Sequence, residues 1–244
     1  MSRRPPEYEY AWFNFRVAVD RNRARRHPKG RFKSGAKCLP MHGMNDSPTR
    51  EIATTAAGMI VDDGLGYGAA KRRALKLLGL PKTTPLPGNE ELEDAVREHI
   101  ALFCPDTQAQ ELLALRQLAL QWMGRLAQFR PHLSAAVWRG TATRNSDIQI
   151  ELFCDDSKSA EWTLIELNRE YRASTVSGLH GDPVEALSLN DFCCGLNAVV
   201  GVHLLVYDHD DLRGALRPDA KGRAQRGDLA AARRMLPIQE ATHE

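Results

Sequence analysis

Residues 135–153 constrain the fold of this chain more than any other segment, because two patterns of side chains meet at a Gly-centred turn. Ala135–Trp138 is a short apolar run that predicts a strand, and Arg139-Gly140 marks the turn after it. Asp147–Phe153 alternates strictly, which predicts a second strand that neighbours the first. We expect Asp147 in a cleft, with Gln149 and Glu151 on its face, and a buried opposite face of Ile148, Ile150 and Leu152.

The segments on either side of this stretch predict an α+β fold. Helical periodicity runs through residues 47–130. The predicted helices are Pro48–Asp62, Tyr67–Leu78, Asn89–Phe103 and a long helix from the capping residue Asp106 to about Phe129. The predicted later elements are a hairpin of Trp162–Leu167 and Tyr171–Val176, strands Val184–Leu189 and Val202–Tyr207, and a short helix from Asn190 to about Ala198. We therefore expect a helical N-terminal part packed on a mixed sheet of about five strands.

Composition is that of a globular protein. Of the 244 residues, 43% are hydrophobic, yet no apolar run approaches the ~20 residues that would span a membrane. The five cysteines form no CxxC pair or Cys/His ligand spacing, which favours reduced thiols in a cytoplasm over disulfides. The basic N-terminus is not followed by the apolar segment of a signal peptide. We therefore expect a cytoplasmic protein with no membrane partner.

Charged residues are distributed unevenly along the chain. Residues 1–43 carry 11 Lys and Arg against three Asp and Glu, and they show no sustained periodicity. We expect residues 1–46 to be a basic, disordered extension, residues 47–212 to fold, and residues 213–244 to form a flexible basic tail in which Asp228–Leu236 could be a short basic helix. The extension could bind nucleic acid through phosphate neutralisation, with Tyr8 and Tyr10 stacking on bases. Alternatively, Met44 is the natural start, and the residues before it are an upstream extension.

The central segment resembles the core motif of the nucleotidyltransferase (polymerase-β-like) superfamily. Arg139-Gly140 and Ser146-Asp147-Ile148 match that motif in register. Two elements depart from it: Ala135-Ala136 stands where the family has a phosphate-holding Gly-Ser, and Gln149 stands where it has a second metal-binding Asp. The resemblance implies a nucleotidyltransferase-like fold, a bound nucleoside triphosphate, Mg²⁺ as cofactor and an acceptor that the sequence does not identify.

The resemblance also implies roles for individual residues. Asp147 would bind the metal, Glu151 would serve as the nearest second carboxylate, and Glu185 would supply the third from a later strand. The residues that would hold the nucleotide are Arg139, Gly140, Thr141, Arg144 and Ser146. Arginine suits this role because its guanidinium pairs with phosphate in a fork.

The two departures weaken the expected chemistry. Two carboxylates at positions i and i+2 of a strand lie about 6–7 Å apart on one face, close enough to share a two-metal site. Gln149 is neutral, and Ala135-Ala136 removes a hydroxyl donor and blocks close approach of the backbone to a phosphate. Two hypotheses follow: a nucleotidyltransferase with impaired catalysis, or a non-catalytic module that binds a nucleotide or a protein partner through the helical part.

The runs Glu185–Leu189 and Val202–Pro218 are also similar to a short bacterial family that is often labelled UDP-N-acetylmuramate–alanine ligase. Such a ligase needs an ATP phosphate loop and separate nucleotide, ATP and amino-acid domains. This chain has no GxxxxGK[ST] spacing and is far shorter. The resemblance therefore implies a ligase label without the chemistry of that ligase.

Overall fold

The chain folds around a mixed β-sheet. A computed structural model describes residues 47–179, 181–219 and 221–237, and the predicted basic extension over residues 1–46 lies outside them. The described part contains eight helices and one six-stranded sheet, so the predicted α+β class is confirmed.

Four helices precede the sheet and match the four predicted from periodicity. They are α1 (Pro48–Asp63), α2 (Tyr67–Leu77), α3 (Asn89–Phe103) and α4 (Gln108–Arg125). Pro48 occupies the first turn of α1, where its missing N–H costs nothing. Gly64 ends that helix in the left-handed conformation, with φ of 65° and its N–H bonded to the carbonyl of Ile60.

The start and end of α4 differ from the prediction. Thr107 rather than Asp106 precedes the helix, and it makes no side-chain capping bond. The helix stops at Arg125, and a separate 3-10 turn over Ala127–Phe129 follows. Phe129 nevertheless remains buried, because that turn returns its ring to the core.

The helical part divides into two units. Helices α1 to α3 bury their own apolar side chains against one another, and these include Ile52, Ala56, Ala70, Leu92 and Val96. Helix α4 belongs to the main core instead, where Leu115, Leu118 and Trp122 pack with the sheet. Of the predicted helical part, α4 is therefore the helix whose apolar side supports the sheet.

The sheet has the order β3-β4-β5-β2-β1-β6. Its strands are β1 (His132–Ser134), β2 (Ile148–Phe153), β3 (Arg172–Ser177), β4 (Pro183–Cys193), β5 (Ala198–Tyr207) and β6 (Arg226–Asp228). The remaining helices are α5 (Ala135–Arg139), α6 (Ser157–Glu166), α7 (Asp211–Ala215) and α8 (Leu229–Arg234). Strands β2 and β5 are parallel, and every other pair is antiparallel.

The two faces of β2 have the polarity that its alternation predicts. Ile148, Ile150 and Leu152 are fully buried in the core that contains α4, as expected.

The other face of β2 carries Gln149, Glu151 and then Phe153. At the Phe153 end, that face is covered by a smaller cluster that includes Leu205, Tyr207 and Ala215 of α7. At the Asp147 end, Gln149 and Asp147 are partly exposed. We call this second face the open face.

The predicted strand over Ala135–Trp138 is wrong. The strand of this region is β1, which pairs with β2 and ends at Ser134. Ala135 then adopts a left-handed backbone with φ of 56°, and the chain continues as helix α5. The apolar run could not reveal this, because four apolar residues suit a buried helical turn as well as a strand.

Two later predictions are also wrong. Trp162–Leu167 was expected in a hairpin, but residues up to Glu166 belong to α6, whose N-cap Asp156 accepts a bond from the backbone N–H of Lys158 at 3.0 Å. Residues Asn190–Ala198 were expected to form a helix. Instead β4 continues to Cys193 and β5 starts at Ala198, with a left-handed Asn197 in the turn between them. The outcome is one long β4–β5 hairpin.

The predicted flexible tail from residue 213 contains ordered elements. Strand β6 pairs with β1 at the sheet edge, and helix α8 contributes the buried Ala232 to the main core. Asp228 caps α8 by accepting a bond from the N–H of Ala231 at 2.7 Å. The folded region therefore extends beyond the predicted boundary at residue 212.

A polar clamp attaches the β4–β5 hairpin to α4. The indole N–H of Trp122 donates to Asp191 Oδ2 at 2.9 Å. Arg125 and Arg169 each form an ion pair with Asp191 and lie over the Trp122 ring. Because Trp122 is fully buried, its N–H requires such a partner. The clamp fixes the end of the hairpin that precedes β5.

Replacing Ala135 with glycine should stabilise the protein by about 0.5–1 kcal/mol, because glycine adopts a positive φ without the steric cost that alanine bears. The measurement is the urea midpoint at unchanged slope. The neighbouring change Ala136→Gly is the matched control, and it should destabilise by about 0.5–1 kcal/mol because Ala136 is helical. Equal losses from both substitutions would contradict a left-handed Ala135.

Candidate functional site

A row of polar residues crosses the open face in register. Gln149 of β2 lies opposite His203 of β5, and His203 lies opposite Ser188 of β4. On the other side, Gln149 lies opposite Ser134 of β1, which lies opposite Arg226 of β6. Paired residues of neighbouring strands share a face, so five strands contribute a polar side chain to this row.

The centre of the row is a chain of contacts from Ser188 to Asp147. His203 Nδ1 is 2.9 Å from Ser188 Oγ, and His203 Nε2 is 3.4 Å from Asp147 Oδ2. His203 is 5% exposed, whereas the Asp147 side chain is 35% exposed. The imidazole is thus fixed between a buried hydroxyl and a carboxylate that reaches solvent.

Gly201 makes room for the carboxylate. A Cβ atom at this position would lie 2.8 Å from Asp147 Oδ1 and 3.3 Å from His203 Nε2. The first distance is shorter than real Cβ contacts, so any larger residue would displace the Asp147 side chain. The missing side chain at residue 201 is therefore what allows Asp147 to lie against His203.

Asp147 and Glu151 share the open face, as predicted, but they do not come together. They are four positions apart along the chain, which is roughly 13 Å in extended conformation. Glu151 is buried and forms an ion pair with Arg226, whose Nε lies 2.5 Å from Glu151 Oε2. Burial raises the pKa of Glu151, and the Arg226 guanidinium opposes that rise. The geometry therefore does not support the predicted metal pair of Asp147 and Glu151.

Glu185 lies on the opposite face from Asp147. Its partner across the hairpin is Val206, which in turn pairs with Leu152 in the main core. Its carboxylate is 3.1 Å from Lys158 Nζ. The predicted third carboxylate is therefore not part of a site that contains Asp147.

Arg139 and Thr141 point to the helical unit. Arg139 Nε lies 3.0 Å from Glu93 Oε2, and its guanidinium lies over the Tyr67 ring at 5.2 Å. Thr141 Oγ1 donates to Glu93 Oε1 at 3.2 Å, and Arg97 also contacts that oxygen at 3.2 Å.

Tyr67 completes this group by donating its hydroxyl to Glu93. Burial raises the pKa of that hydroxyl, so it remains a donor at neutral pH. Glu93 is 3% exposed, accepts hydrogen bonds from three side chains and forms an ion pair with Arg139, which makes the group a buried junction between α3 and the loop before β2. Arg139 and Thr141, predicted to hold a triphosphate, are committed to this junction.

The loop between α5 and β2 is held by further bonds. Gly140 has φ of 80°, and its carbonyl accepts from the side chain of Gln108 at 3.0 Å. Ser146 Oγ accepts from the N–H of Thr143 at 3.0 Å. Asn145 donates to the carbonyls of Val61 and Asp62 at the end of α1.

Among the predicted nucleotide-binding side chains, Arg144 is the one with an exposed residue surface. Its backbone N–H donates to Glu111 at 2.9 Å, which anchors the loop at this exposed residue. Arg144 therefore remains the best placed of the predicted arginines for a phosphate.

Three residues beside Asp147 were not singled out from the sequence: His203, Ser188 and Gly201. Their shared sequence signal is the alternation of small or polar residues in otherwise apolar strands. That signal becomes a site only when the strands are placed in register.

Other features of the described residues do not add a ligand cluster. The described residues contain no group of three His, Cys, Asp or Glu side chains arranged to hold a metal ion. Across residues 47–179, 181–219 and 221–237, no helix has the length and apolar character needed to cross a membrane. A groove of about 590 Å³ lies between α1 and α3, lined by acids such as Glu90, Asp94 and Glu98, and no open-face residue lines it.

Comparison with known proteins gives one weak structural likeness. No protein-family model matches the chain, and no curated protein matches its sequence. Among solved structures, it is similar to a crystal structure of the Cid1 poly(U) polymerase with MgGTP bound, with 13% identity and a TM-score of 0.31. The match covers 45% of this chain and 38% of that chain. A likeness of this size assigns neither a family nor an activity, and the ligase label finds no match.

The ion pair with Glu93 predicts different effects on stability for substitutions of Arg139 and Arg144. Arg139→Ala should destabilise the protein by about 3 kcal/mol, because it removes a close partner of a buried carboxylate. Arg144→Ala, the matched control, should change stability by less than about 0.5 kcal/mol because its side chain is exposed. Chemical denaturation measures both. A negligible loss for Arg139→Ala would show that Arg139 does not bind Glu93.

Proposed function

We propose that this protein binds a nucleoside triphosphate at the Asp147 end of the open face, and that it transfers nucleotidyl groups weakly or not at all. The observation that carries the proposal is the order β1, left-handed residue, α5, loop, Asp147, β2. In the nucleotidyltransferase motif that the sequence resembles, Ala135 occupies the position of a glycine. A positive φ is the conformation that glycine accepts most easily, so the left-handed backbone at Ala135 is one that the glycine of the motif would favour.

Asp147 would carry the metal-dependent part of binding. It stands directly before β2, is partly exposed, and is the carboxylate that the motif places first. Arg144 lies three residues earlier in the same loop and would pair with a phosphate through its guanidinium. The side chains of Arg139 and Thr141 would support the loop from the other side through Glu93.

The residues present do not fit a pair of Mg²⁺ ions. Mg²⁺ prefers oxygen ligands in octahedral geometry, and two-metal catalysis uses carboxylates that bridge the ions. Here Gln149 is neutral, Glu151 is paired with Arg226, and Glu185 lies on the other face. One carboxylate remains, which supports binding rather than efficient transfer.

Calorimetric titration of each nucleoside triphosphate, with Mg²⁺ and separately with Mn²⁺, tests the proposal. Asp147→Ala should weaken metal-dependent binding by about tenfold or more, equivalent to about 1.4 kcal/mol. Glu185→Gln is the matched control, because it removes a carboxylate from the opposite face, and it should leave the affinity unchanged. No binding by the wild type, or equal binding by Asp147→Ala, would favour a non-catalytic module for a protein partner.

Replacing Gln149 with the acid of the motif should have opposite effects on nucleotide affinity and on stability without metal. Gln149→Asp should strengthen Mg²⁺-dependent nucleotide binding several-fold, because it places a second carboxylate two residues from Asp147 on the same face. Without metal, repulsion between the two carboxylates should lower stability by about 1 kcal/mol. The same titration and a thermal melt in chelator provide the readouts. Weaker binding in Gln149→Asp would indicate that Asp147 does not face the phosphates.

A further inference from the structure

The open face offers a different kind of metal site from the one that the motif implies. A pair of Mg²⁺ ions would need several carboxylate oxygens, and the side chains around Asp147 do not provide them. What lies beside Asp147 is an imidazole: His203 Nε2 is 3.4 Å from Asp147 Oδ2. Imidazole nitrogen with carboxylate oxygen is a donor set for borderline transition metals such as zinc, not for Mg²⁺.

We propose that Asp147 and His203 together bind one first-row transition dication of the zinc type, with Gln149 as the neighbouring neutral ligand. The proposal concerns the same face as the proposed nucleotide site and shares Asp147 with it. It does not depend on nucleotide binding, because the ion alone is the ligand.

The separation of the two donor atoms fits a shared ion. Two ligand atoms that each lie about 2.0–2.1 Å from a tetrahedral metal are about 3.3–3.4 Å apart. The observed 3.4 Å between Asp147 Oδ2 and His203 Nε2 equals that separation. It is also longer than the usual 2.9–3.0 Å of an N–H to oxygen hydrogen bond. An ion can thus bind both atoms with little movement of the strands.

Ser188 holds the imidazole in the orientation that a ligand histidine needs. Its Oγ lies 2.9 Å from His203 Nδ1, and both side chains are buried. In the metal-free protein the contact with the Asp147 carboxylate, which can only accept, places the proton on Nε2. A bound ion would replace that proton, and Nδ1–H would then donate to the Ser188 hydroxyl. Ligand histidines in metalloproteins are commonly fixed in this way through their second nitrogen. Ser188 is therefore a positioning residue for the proposed site.

Gln149 would supply the third donor, because the strand register places it beside His203. It lies opposite His203 in the parallel pair and one strand from Ser134, on the same face as Asp147. Its amide oxygen is a neutral ligand, so the site would carry one negative charge from protein. Solvent or a phosphate oxygen would complete the coordination, since the Asp147 side chain is 35% exposed.

Gly201 offers a way to disrupt the site without removing a ligand. A methyl group at residue 201 would meet Asp147 Oδ1 and Cγ at 2.8 and 2.9 Å. These atoms are the far end of a flexible side chain, so Asp147 would rotate away while the strands remain in place. Gly201→Ala should therefore separate Asp147 from His203 at little cost in stability.

The experiment titrates the metal-free full chain with Zn²⁺, and then with Mg²⁺, by calorimetry in the absence of nucleotide. A parallel titration with Co²⁺, followed by visible absorption, reports the ligands of the ion. We expect one ion per chain, bound more tightly for Zn²⁺ and Co²⁺ than for Mg²⁺. We also expect a cobalt spectrum without the near-ultraviolet band of a thiolate ligand, because no described cysteine belongs to the site.

Substitutions assign the site. Asp147→Asn, His203→Gln and Gly201→Ala should each weaken Zn²⁺ binding by about tenfold or more, and Ser188→Ala should weaken it by about tenfold. His209→Gln is the matched control for His203→Gln, because His209 lies in the turn after β5, and it should change nothing. Circular dichroism and a thermal melt check each fold. If His203→Gln does not fold, Gly201→Ala decides the assignment.

Three results would overturn the proposal. They are wild-type Zn²⁺ binding no tighter than Mg²⁺ binding, Zn²⁺ binding that survives Asp147→Asn or Gly201→Ala, and a thiolate band in the cobalt spectrum. None of them decides whether a nucleotide binds, because no nucleotide is present. Conversely, failure of the nucleotide titration would leave this result intact.

Discussion

The parallel pairing of β2 with β5 is the constraint on which the rest of the structure depends. It buries Ile148, Ile150 and Leu152 beside the apolar side chains of β5, and it places Gln149 opposite His203. A shift of one residue would reverse which side chains of β2 face the core, so the buried aliphatic face enforces the register. The contact between Asp147 and His203 is a consequence of that register.

The loop before β2 serves stability as much as function. In the motif that the sequence resembles, this loop and the turn before it hold phosphates. In this protein, Arg139 and Thr141 bind the buried Glu93 of α3, and Asn145 binds carbonyls at the end of α1. These bonds attach the three-helix unit to the start of β2. The same contacts that position Asp147 thus use two of the residues that a conventional phosphate site would need.

Prediction from sequence succeeded where the determining interactions are local. Helices α1 to α3 were predicted within a residue or two of their ends, because periodicity, Pro48 and Gly64 are local signals. The buried face of β2 followed from its alternation. Prediction from sequence failed at Ala135–Trp138, where a left-handed residue precedes a helix. It also failed at Asn190–Ala198, where the long β4–β5 hairpin replaces the expected helix.

The sequence singled out Asp147 but not the side chains that the structure places beside it. Glu185 was chosen by its neighbours in sequence, but the face on which a strand residue lies relative to Asp147 depends on pairing through β5. Glu151 was on the correct face, yet the edge strand β6 brings Arg226 to it from residues expected to be a tail. His203, Ser188 and Gly201 come together only across strands, so no local motif reveals them.

The most direct test of this account is an anomalous diffraction measurement at the zinc edge on crystals of the wild-type protein soaked in Zn²⁺. The account predicts a peak on the open face, about 2.0–2.2 Å from both an Asp147 carboxylate oxygen and His203 Nε2. It also predicts His203 Nδ1 within hydrogen-bond distance of Ser188 Oγ. An intact sheet in which Asp147 points away from His203, with zinc bound only at other side chains, would contradict it.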